Sequence, residues 1–341
     1  MSAVRQARLT IRDVARLAGV SVATVSRVAN GRPDVAPATR EEVLRVMRDH
    51  GFTTNRSARA LSGGRTGLIG FTVPYVNESY FTAILAGAAE ALHEQDQRVV
   101  LCPTHHEHER EVTLLERLMT GTTDGAILVL PEETGAELRG LRAQGYPFVV
   151  ADPRQPVPDG IPAVSADHSA GARAAVDHLI ALGHRRIGMI TGTRGWVASE
   201  ERLEGYRLSL AAAGIPFAPE LVAGGDYTFA TGQAATTALL RLGQPPTAIF
   251  ASNDNLAVGA MRAAFERGLR IPGDLSIAGF DDTGLAESVF PPLTTVRQPV
   301  AELGRTAVSL LNRLVDGQRT EGLRVELETR LVVRGSTAAP R

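Results

Sequence analysis

The sequence predicts two fold classes in one chain: a small all-α helix-turn-helix head, then a larger α/β body of two doubly wound parallel-sheet lobes. Three observations carry this. Residues 1–66 hold twelve arginines against five acids, a net of +7, which leaves −8 on the rest of a chain whose total is −1. Within that basic segment, apolar residues recur at helical spacing between cap and breaker residues. From residue 67 onward, short continuous apolar runs alternate with amphipathic stretches, the pattern of parallel strands covered on both faces.

The 341 residues are 44% hydrophobic and 21% charged, enough for two or three packed domains. One cysteine, Cys102, excludes a disulfide scaffold and points to a reducing compartment. The opening MSAVRQARLT lacks the apolar core of an export signal. No run approaches the roughly 18 apolar residues of a membrane helix. A cytoplasmic protein without membrane contact is expected. All 36 basic residues are arginine, a compositional bias, although guanidinium forks do suit phosphate.

In the head, Thr10 to Asp13 forms a capping box with Asp in place of Glu, opening a helix whose expected buried face is Val14, Leu17 and Ala18. Gly19 stops it with a left-handed residue, and Val20 is expected to bury in the turn. Ser21 caps a second helix, with Thr24 three residues on and Val25 and Val28 facing inward. Asn30, Gly31, Arg32 and Pro33 break the chain. A third helix runs from about Pro37 to Asp49, and Gly51 ends it. Two short helices joined by a glycine turn make a helix-turn-helix, whose second helix enters the major groove. Its exposed face would carry Val22, Ala23, Ser26 and Arg27; Arg27 can fork onto a guanine edge, and the small apolar pair can meet a thymine methyl. A solvated helix surface is the plain alternative. Asn55 to Gly64 reads as a further helix too short to stand alone in water, which fits a segment ordered on a partner.

These residues resemble the lactose/galactose-repressor family of bacterial transcription regulators. The run TIRDVARLAGVSVATVSRVANG matches the family's head signature, and NRSARAL its hinge helix. The resemblance implies base reading by Val22, Ala23 and Arg27, with Thr10, Ser21, Thr24, Ser26, Asn30 and Thr39 as phosphate or positioning contacts. It implies hinge contacts at Asn55, Ala58 and Leu61, Leu61 being the wedge that two subunits push into the minor groove. Two residues depart from the pattern: Thr54 stands where proline is usual, and Phe52 where tyrosine would offer phosphate a hydroxyl.

In the body, strands are expected at Leu68–Val73, Val99–Cys102, Gly125–Leu130, Phe148–Ala151, Arg186–Thr191, Ala248–Ala251 and Ser276–Phe280. Helices are expected at Ile84–His93, Ala170–Leu182, Glu201–Ala213 and Leu256–Arg267. Ligands of such sheets sit beyond the carboxyl ends of the strands. There stand Asp152, Asn253 with Asp254, and Asp281 with Asp282, while Tyr80, Phe81 and Arg202 follow nearby strands. Carboxylates accept from hydroxyls, Arg donates and rings stack on apolar sugar faces, so the set suits a polyhydroxylated ligand. Taken singly, each is more often a cap or turn former, and Asp254 reads as a structural cap.

PTAIFASNDNLAVGAM, SIAGFDDT and PPLTTVRQPV extend the resemblance through the body, as a periplasmic-binding-protein-like effector domain. It implies effector contacts at Tyr80, Phe81, Asp152, Arg202, Tyr227, Asn253, Asp281 and Gln298. Val129 and Ala166 occupy positions where relatives can carry polar or aromatic contacts. Trp196, the only tryptophan, is a candidate for stacking on a sugar ring, against a plain packing role.

The expected domains are 1–54 for the head, 55–66 for the hinge, and 67–341 for effector binding and dimerisation. Lobe one would take about 67–166 and 299–327, and lobe two about 167–297 and 328–341. His105, His106, His108 and Glu109 beside Cys102 suggest a metal cluster but read as a solvated loop, so no metal or cofactor is expected. No serine elbow, Walker loop or dinucleotide fingerprint stands where catalysis would need it, and Asp281 and Asp282 point apart. The reading is therefore a homodimeric repressor on a pseudo-palindromic operator, not an enzyme, controlled by a small molecule, expected to be a sugar inducer. A corepressor of the same fold, a transporter's solute-binding protein and a sugar-processing enzyme are the rivals. Leu331 to Val333 is strand-like with no leucine heptads after it, so a dimer is expected rather than a coiled-coil tetramer.

Overall fold

A computed structural model describes residues 9–29, 34–50, 52, 65–120, 122–318 and 323–341. The expectations placed on Asn30, Thr54, Asn55, Ala58 and Leu61 lie outside the described residues. The chain divides into two compact units, Met1–Gly67 and Leu68–Arg341.

Among the described residues the first unit packs three helices: α1 (Ile11–Leu17), α2 (Val22–Ala29) and α3 (Pro37–Asp49). Local chemistry sets their starts. The Asp13 carboxylate accepts from the Thr10 N–H at 3.0 Å while the Thr10 hydroxyl accepts from the Asp13 N–H, closing the capping box. Ser21 Oγ accepts the Thr24 N–H at 3.1 Å. Pro37 occupies the first turn of α3, where its missing N–H costs nothing. Gly19 adopts φ +66°, as the tight turn requires. Val14, Ala15, Val25, Val28, Val43, Val46 and Met47 form the core, with Val20 and Phe52 packed against it. The expected buried face of α1 is corrected here. Leu17 is 48% exposed and Ala15 is buried, because α1 rests against both α2 and α3 and its buried arc turns toward Ala15.

The second unit holds two six-stranded sheets. Sheet one runs β11-β5-β4-β3-β1-β2, from β1 (Leu68–Val73), β2 (Arg98–Pro103), β3 (Gly125–Val129), β4 (Phe148–Ala151), β5 (Ala163–Ala166) and β11 (Arg324–Leu327), all parallel. Sheet two runs β12-β10-β9-β8-β6-β7, from β6 (Ile187–Thr191), β7 (Val222–Gly224), β8 (Ala248–Ala251), β9 (Ser276–Asp281), β10 (Thr294–Arg297) and β12 (Arg330–Val332). Only β12 is antiparallel to its neighbour. These are the two doubly wound lobes that the apolar runs predict.

Helices cover both faces of each sheet. On sheet one lie α4 (Ser79–Glu94) and α12 (Val300–Val315) on one side, α5 (His108–Met119) and α6 (Gly135–Ala143) on the other. Sheet two is sandwiched between α7 (His168–Ala181) with α8 (Val197–Ala212), and α9 (Phe229–Leu239) with α10 (Asp254–Glu266). A five-residue helix, α11 (Gly284–Ser288), follows β9. The α4–α12 crossing is a backbone-to-backbone contact. A Cβ at Gly87 would stand 1.9 Å from the Ala301 carbonyl oxygen, and one at Gly304 2.1 Å from that of Ile84. The chain passes between lobes three times, after β5, β10 and β11, so each sheet is finished by a strand from the C-terminal segment.

Candidate DNA-reading helix and ligand cleft

In the head, α2 presents the residues expected to read DNA. Val22 is 43% exposed and Ala23 and Arg27 are exposed, whereas Val25 and Val28 hold the helix to the core. Arg27 Nε lies 3.5 Å from Asp34 Oδ2 at the surface, a weak pair that leaves the guanidinium free to exchange partners. Ser21, Thr24 and Thr10 are engaged in caps; Ser26 and Thr39 are half-buried, Thr39 in the first turn of α3. The cap bonds leave hydroxyls at helix N-termini, where phosphates bind favourably.

In the body, a cavity of about 730 Å³ opens between the lobes beyond the carboxyl ends of the strands. Tyr80 and Phe81 reach it from the first turn of α4, Asp152 from just past β4, Trp196 and Arg202 from the start of α8. Tyr227 precedes α9, Asn253 caps α10, and Asp281 ends β9. Asp152 and Asp281 sit at φ +51° and +110°, left-handed turns that swing their carboxylates off the strand line into the cleft.

The floor is one polar network. Arg202, 4% exposed, donates Nη1 to the Ser252 carbonyl at 2.5 Å and Nη2 to His168 Nδ1 at 3.1 Å, with its Cζ over the Phe280 ring, 3.9 Å from the centroid. A guanidinium can only donate, so His168 Nδ1 accepts and the ring proton sits on Nε2, facing Asp152 Oδ1 at 3.4 Å. Tyr80 donates its hydroxyl to Asp152 Oδ2 at 2.8 Å. Burial pushes Asp152 up, but the bonds from His168 and Tyr80 and the Arg202 charge outweigh it, and its carboxyl stays below the usual range. Burial and the Arg202 charge keep His168 low, hence neutral. Asp281 is pushed up to about 8, by burial, against the pull of Arg202 at 3.9 Å. One site thus holds a firm acceptor, Asp152, and a carboxyl able to donate, Asp281. Arg202 Nε has no partner among the described residues.

Three expectations are corrected. Gln298 does not line the cavity; it is buried behind it and donates Nε2 to Asp281 Oδ1 at 2.6 Å, aiming that carboxylate. Asp254 is not the helix cap. Asn253 Oδ1 accepts the Leu256 N–H at 2.8 Å, while Asp254 ties α10 to Thr283 and Thr295. The histidine segment is not simply a solvated loop. His105 and His106 at φ +59° and +58° turn the chain back, and His106 enters the cleft wall between Tyr75 and Trp196. Val129 and Ala166 are buried in sheet one and do not line the cavity. Asp281 and Asp282 do point apart, Asp282 pairing with Arg297 and Arg334. Among the described residues no group of three or more His, Cys, Asp or Glu could hold a metal ion, and no helix is long and apolar enough to cross a membrane.

Residues 10–55 match the model of the bacterial regulatory proteins of the lacI family, and residues 176–337 that of a periplasmic binding protein-like domain. The chain is 38% identical over 341 residues to the HTH-type transcriptional regulator CelR of Thermobifida fusca, covering 97% of this chain and 99% of CelR. This protein belongs to the lacI family. The lacI-family regulator is also 33% identical to catabolite control protein A of Priestia megaterium, over 96% of this chain and 99% of that one. Its fold matches the lac repressor dimer bound to operator and the anti-inducer ONPF, with TM-score 0.86 and 32% identity over 98% of this chain and all of that one. It matches the CelR–cellobiose complex with TM-score 0.75 and 36% identity over 96% of this chain and all of that one. The lacI-family regulator is thus a DNA-binding transcription regulator whose body is of a kind that binds sugar effectors.

His168 and His106 escape the strand-end rule. His168 opens a helix and reads as a cap neighbour in sequence. His106 belongs to a run whose chemistry suggests metal before it suggests a wall.

Proposed function

We propose that this regulator is a homodimeric repressor that grips a pseudo-palindromic operator and lets go when a sugar fills the cleft. The observation that supports it most is the cleft floor. Asp152, His168 and Arg202 join residues of both lobes, so a polyhydroxylated ligand bonding to Asp152, Arg202 and Asp281 stabilises one closure angle over others. The lac repressor structure carries operator DNA and the CelR structure carries cellobiose, which supports the same pairing here. Arg27, Val22 and Ala23 read the half-site, Leu61 supplies the central wedge, and Asn55 and Ala58 make hinge contacts beside it.

A dimer is supported by exposed apolar surface on lobe two. Phe290 is 95% exposed, and Val333 is also exposed; they lie two residues to either side of the hydrogen bond from the Gly335 N–H to the Pro292 carbonyl. Two copies sharing a two-fold axis demand a two-fold site.

Electrophoretic retention of a pseudo-palindromic duplex, with a sugar panel in the gel mix, tests the reading. The expected result is specific retention by a dimer, abolished by at least one sugar. Retention strengthened by the sugar makes it a corepressor system, and equal affinity for scrambled duplex overturns the reading.

A further inference from the structure

Resting on the sugar-effector reading, we propose that the cleft takes an uncharged linear disaccharide, and that a row of four rings, Tyr75, His106, Trp196 and Tyr227, selects for its length.

Charge excludes the anionic sugars. Five acids line the cavity, Glu78, Asp152, Asp226, Asp254 and Asp281; with Asp281 pushed up to about 8, the other four face one guanidinium, Arg202. That guanidinium is already committed to the Ser252 carbonyl and His168. A phosphate or carboxylate on the ligand meets net negative potential and finds no free fork to hold it. Hydroxyls fare differently, since Asp152 accepts, Arg202 lines the cavity with Nη hydrogens beyond the two it has spent, and Asp281 can serve either way.

Size and shape then set the length. At about 730 Å³ the cavity falls in the ~300–1,000 Å³ range of sites for drug-sized ligands, more than a single pyranose fills. The polar floor occupies one part of it. Along the wall the four rings follow one another with centroids 5.3, 5.7 and 5.8 Å apart, and all four border the cavity. A lone pyranose covers one step of that row, whereas a second ring continues along it, its C–H face on aromatic carbon.

The row also reads length at closure. Tyr75 and His106 belong to lobe one, Trp196 and Tyr227 to lobe two, so the run is continuous only when the lobes meet. Lobe one braces it. The Glu132 carboxylate joins His106 Nδ1, at 2.8 Å, to the Arg154 guanidinium, which lies 5.4 Å over the Trp196 ring. The Val197 N–H donates to the Arg154 carbonyl at 3.0 Å, fixing the tryptophan loop against the same residue. Trp196 is thus held by lobe one while carried by lobe two.

Titration calorimetry on the full chain tests this, with glucose, xylose, cellobiose, xylobiose, maltose and glucose 6-phosphate as probes. The expected result is one neutral disaccharide bound at least about 100-fold tighter than its own monosaccharide, and no heat from the phosphate. Trp196→Ala and His106→Ala should each weaken that disaccharide about tenfold and leave the monosaccharide within threefold, at melting temperatures near the parent's. A monosaccharide within tenfold of every disaccharide, tighter binding of the phosphate, no binding by any neutral disaccharide, or parent-like affinity in both variants overturns the proposal. Operator retention by the same preparations, without sugar, keeps the regulator reading separate from this outcome.

Discussion

Asp254 lines the cleft, yet its carboxylate is spent on the fold, so its removal measures what anchors the ligand-bearing loops. Oδ2 accepts the Thr283 N–H at 2.7 Å and the Thr283 hydroxyl at 3.1 Å, and Oδ1 accepts the Thr295 hydroxyl at 2.6 Å. Asp254→Ala strands the Thr295 hydroxyl in a buried place and the Thr283 N–H and hydroxyl in a half-buried one. The N–H cannot turn elsewhere and costs about 1–3 kcal/mol, and each hydroxyl adds roughly 0.5–1.5 kcal/mol. Recovering the desolvation of the carboxylate offsets part of this, since burial pushes Asp254 up to about 6. The expected net loss is on the order of 3 kcal/mol, a fall in melting temperature of roughly 5 °C for a body that spans Leu68–Arg341. Asp254→Asn keeps an acceptor for Thr283 and offers its amide to the Thr295 oxygen, so about 1 kcal/mol or less is expected. Its deficit should shrink as pH rises from 5 to 8, because the parent alone must bury a charge there. Urea unfolding followed by near-ultraviolet circular dichroism reads both variants. An alanine variant within 0.5 kcal/mol of the parent, or an asparagine variant as damaged as the alanine one, refutes the reasoning.

Three further outcomes are expected. Burial pushes Glu111 up to about 7 and Glu133, beside Glu111, up to about 8. Both hold protons in the fold that the unfolded chain releases, so this stability is full below their ordinary values and is lost as pH rises through 7 to 8. His168, His178 and His184 are lowered, chiefly by burial, so their opposite effect is complete by their ordinary 6.5. The melting temperature of the body should therefore fall between pH 6.5 and 8, and Glu133→Gln should flatten the fall in a calorimetric pH series. Gly304→Ala should cost about 3 kcal/mol by urea midpoint, because its Cβ meets the Ile84 carbonyl oxygen at 2.1 Å and backbone cannot yield. Thr10→Ala should weaken α1 by about 0.5–2 kcal/mol, seen as faster amide exchange in Val14 and Ala15, by removing the capping box.

The sequence shows the head well because its signals are local. Thr10, Ser21 and Gly19 each act on neighbours a few residues away, and the helices begin and end where those residues put them. Leu17 is the exception, since which arc of a short helix is buried depends on what packs against it. In the body, four-residue apolar runs such as Phe148–Ala151 and Ala248–Ala251 mark central strands, and the strand-end rule finds Asp152, Asn253 and Asp281. Strands β5, β7, β10 and β11 are hidden, being short and rich in small or polar residues, so pairing across long separations decides them. His106 is hidden for a related reason. Its place in the wall comes from two consecutive left-handed residues and from a tryptophan ninety residues away.

The late strands carry a cost during synthesis. Residues 68–166 make five of the six strands of sheet one, but its edge strand β11 and covering helix α12 are translated only after nearly all of sheet two. At about 5–20 residues per second, β11 emerges on the order of 10–30 s after β5. Throughout that interval the nascent chain offers β5 as an unpaired edge and the apolar floor beneath α12 as bare surface, a target for other growing chains. A premature stop near residue 320 keeps α12 but leaves the β5 edge unpaired for good and opens β10 as well, so truncated products of this chain are expected in inclusion bodies rather than as working half-proteins.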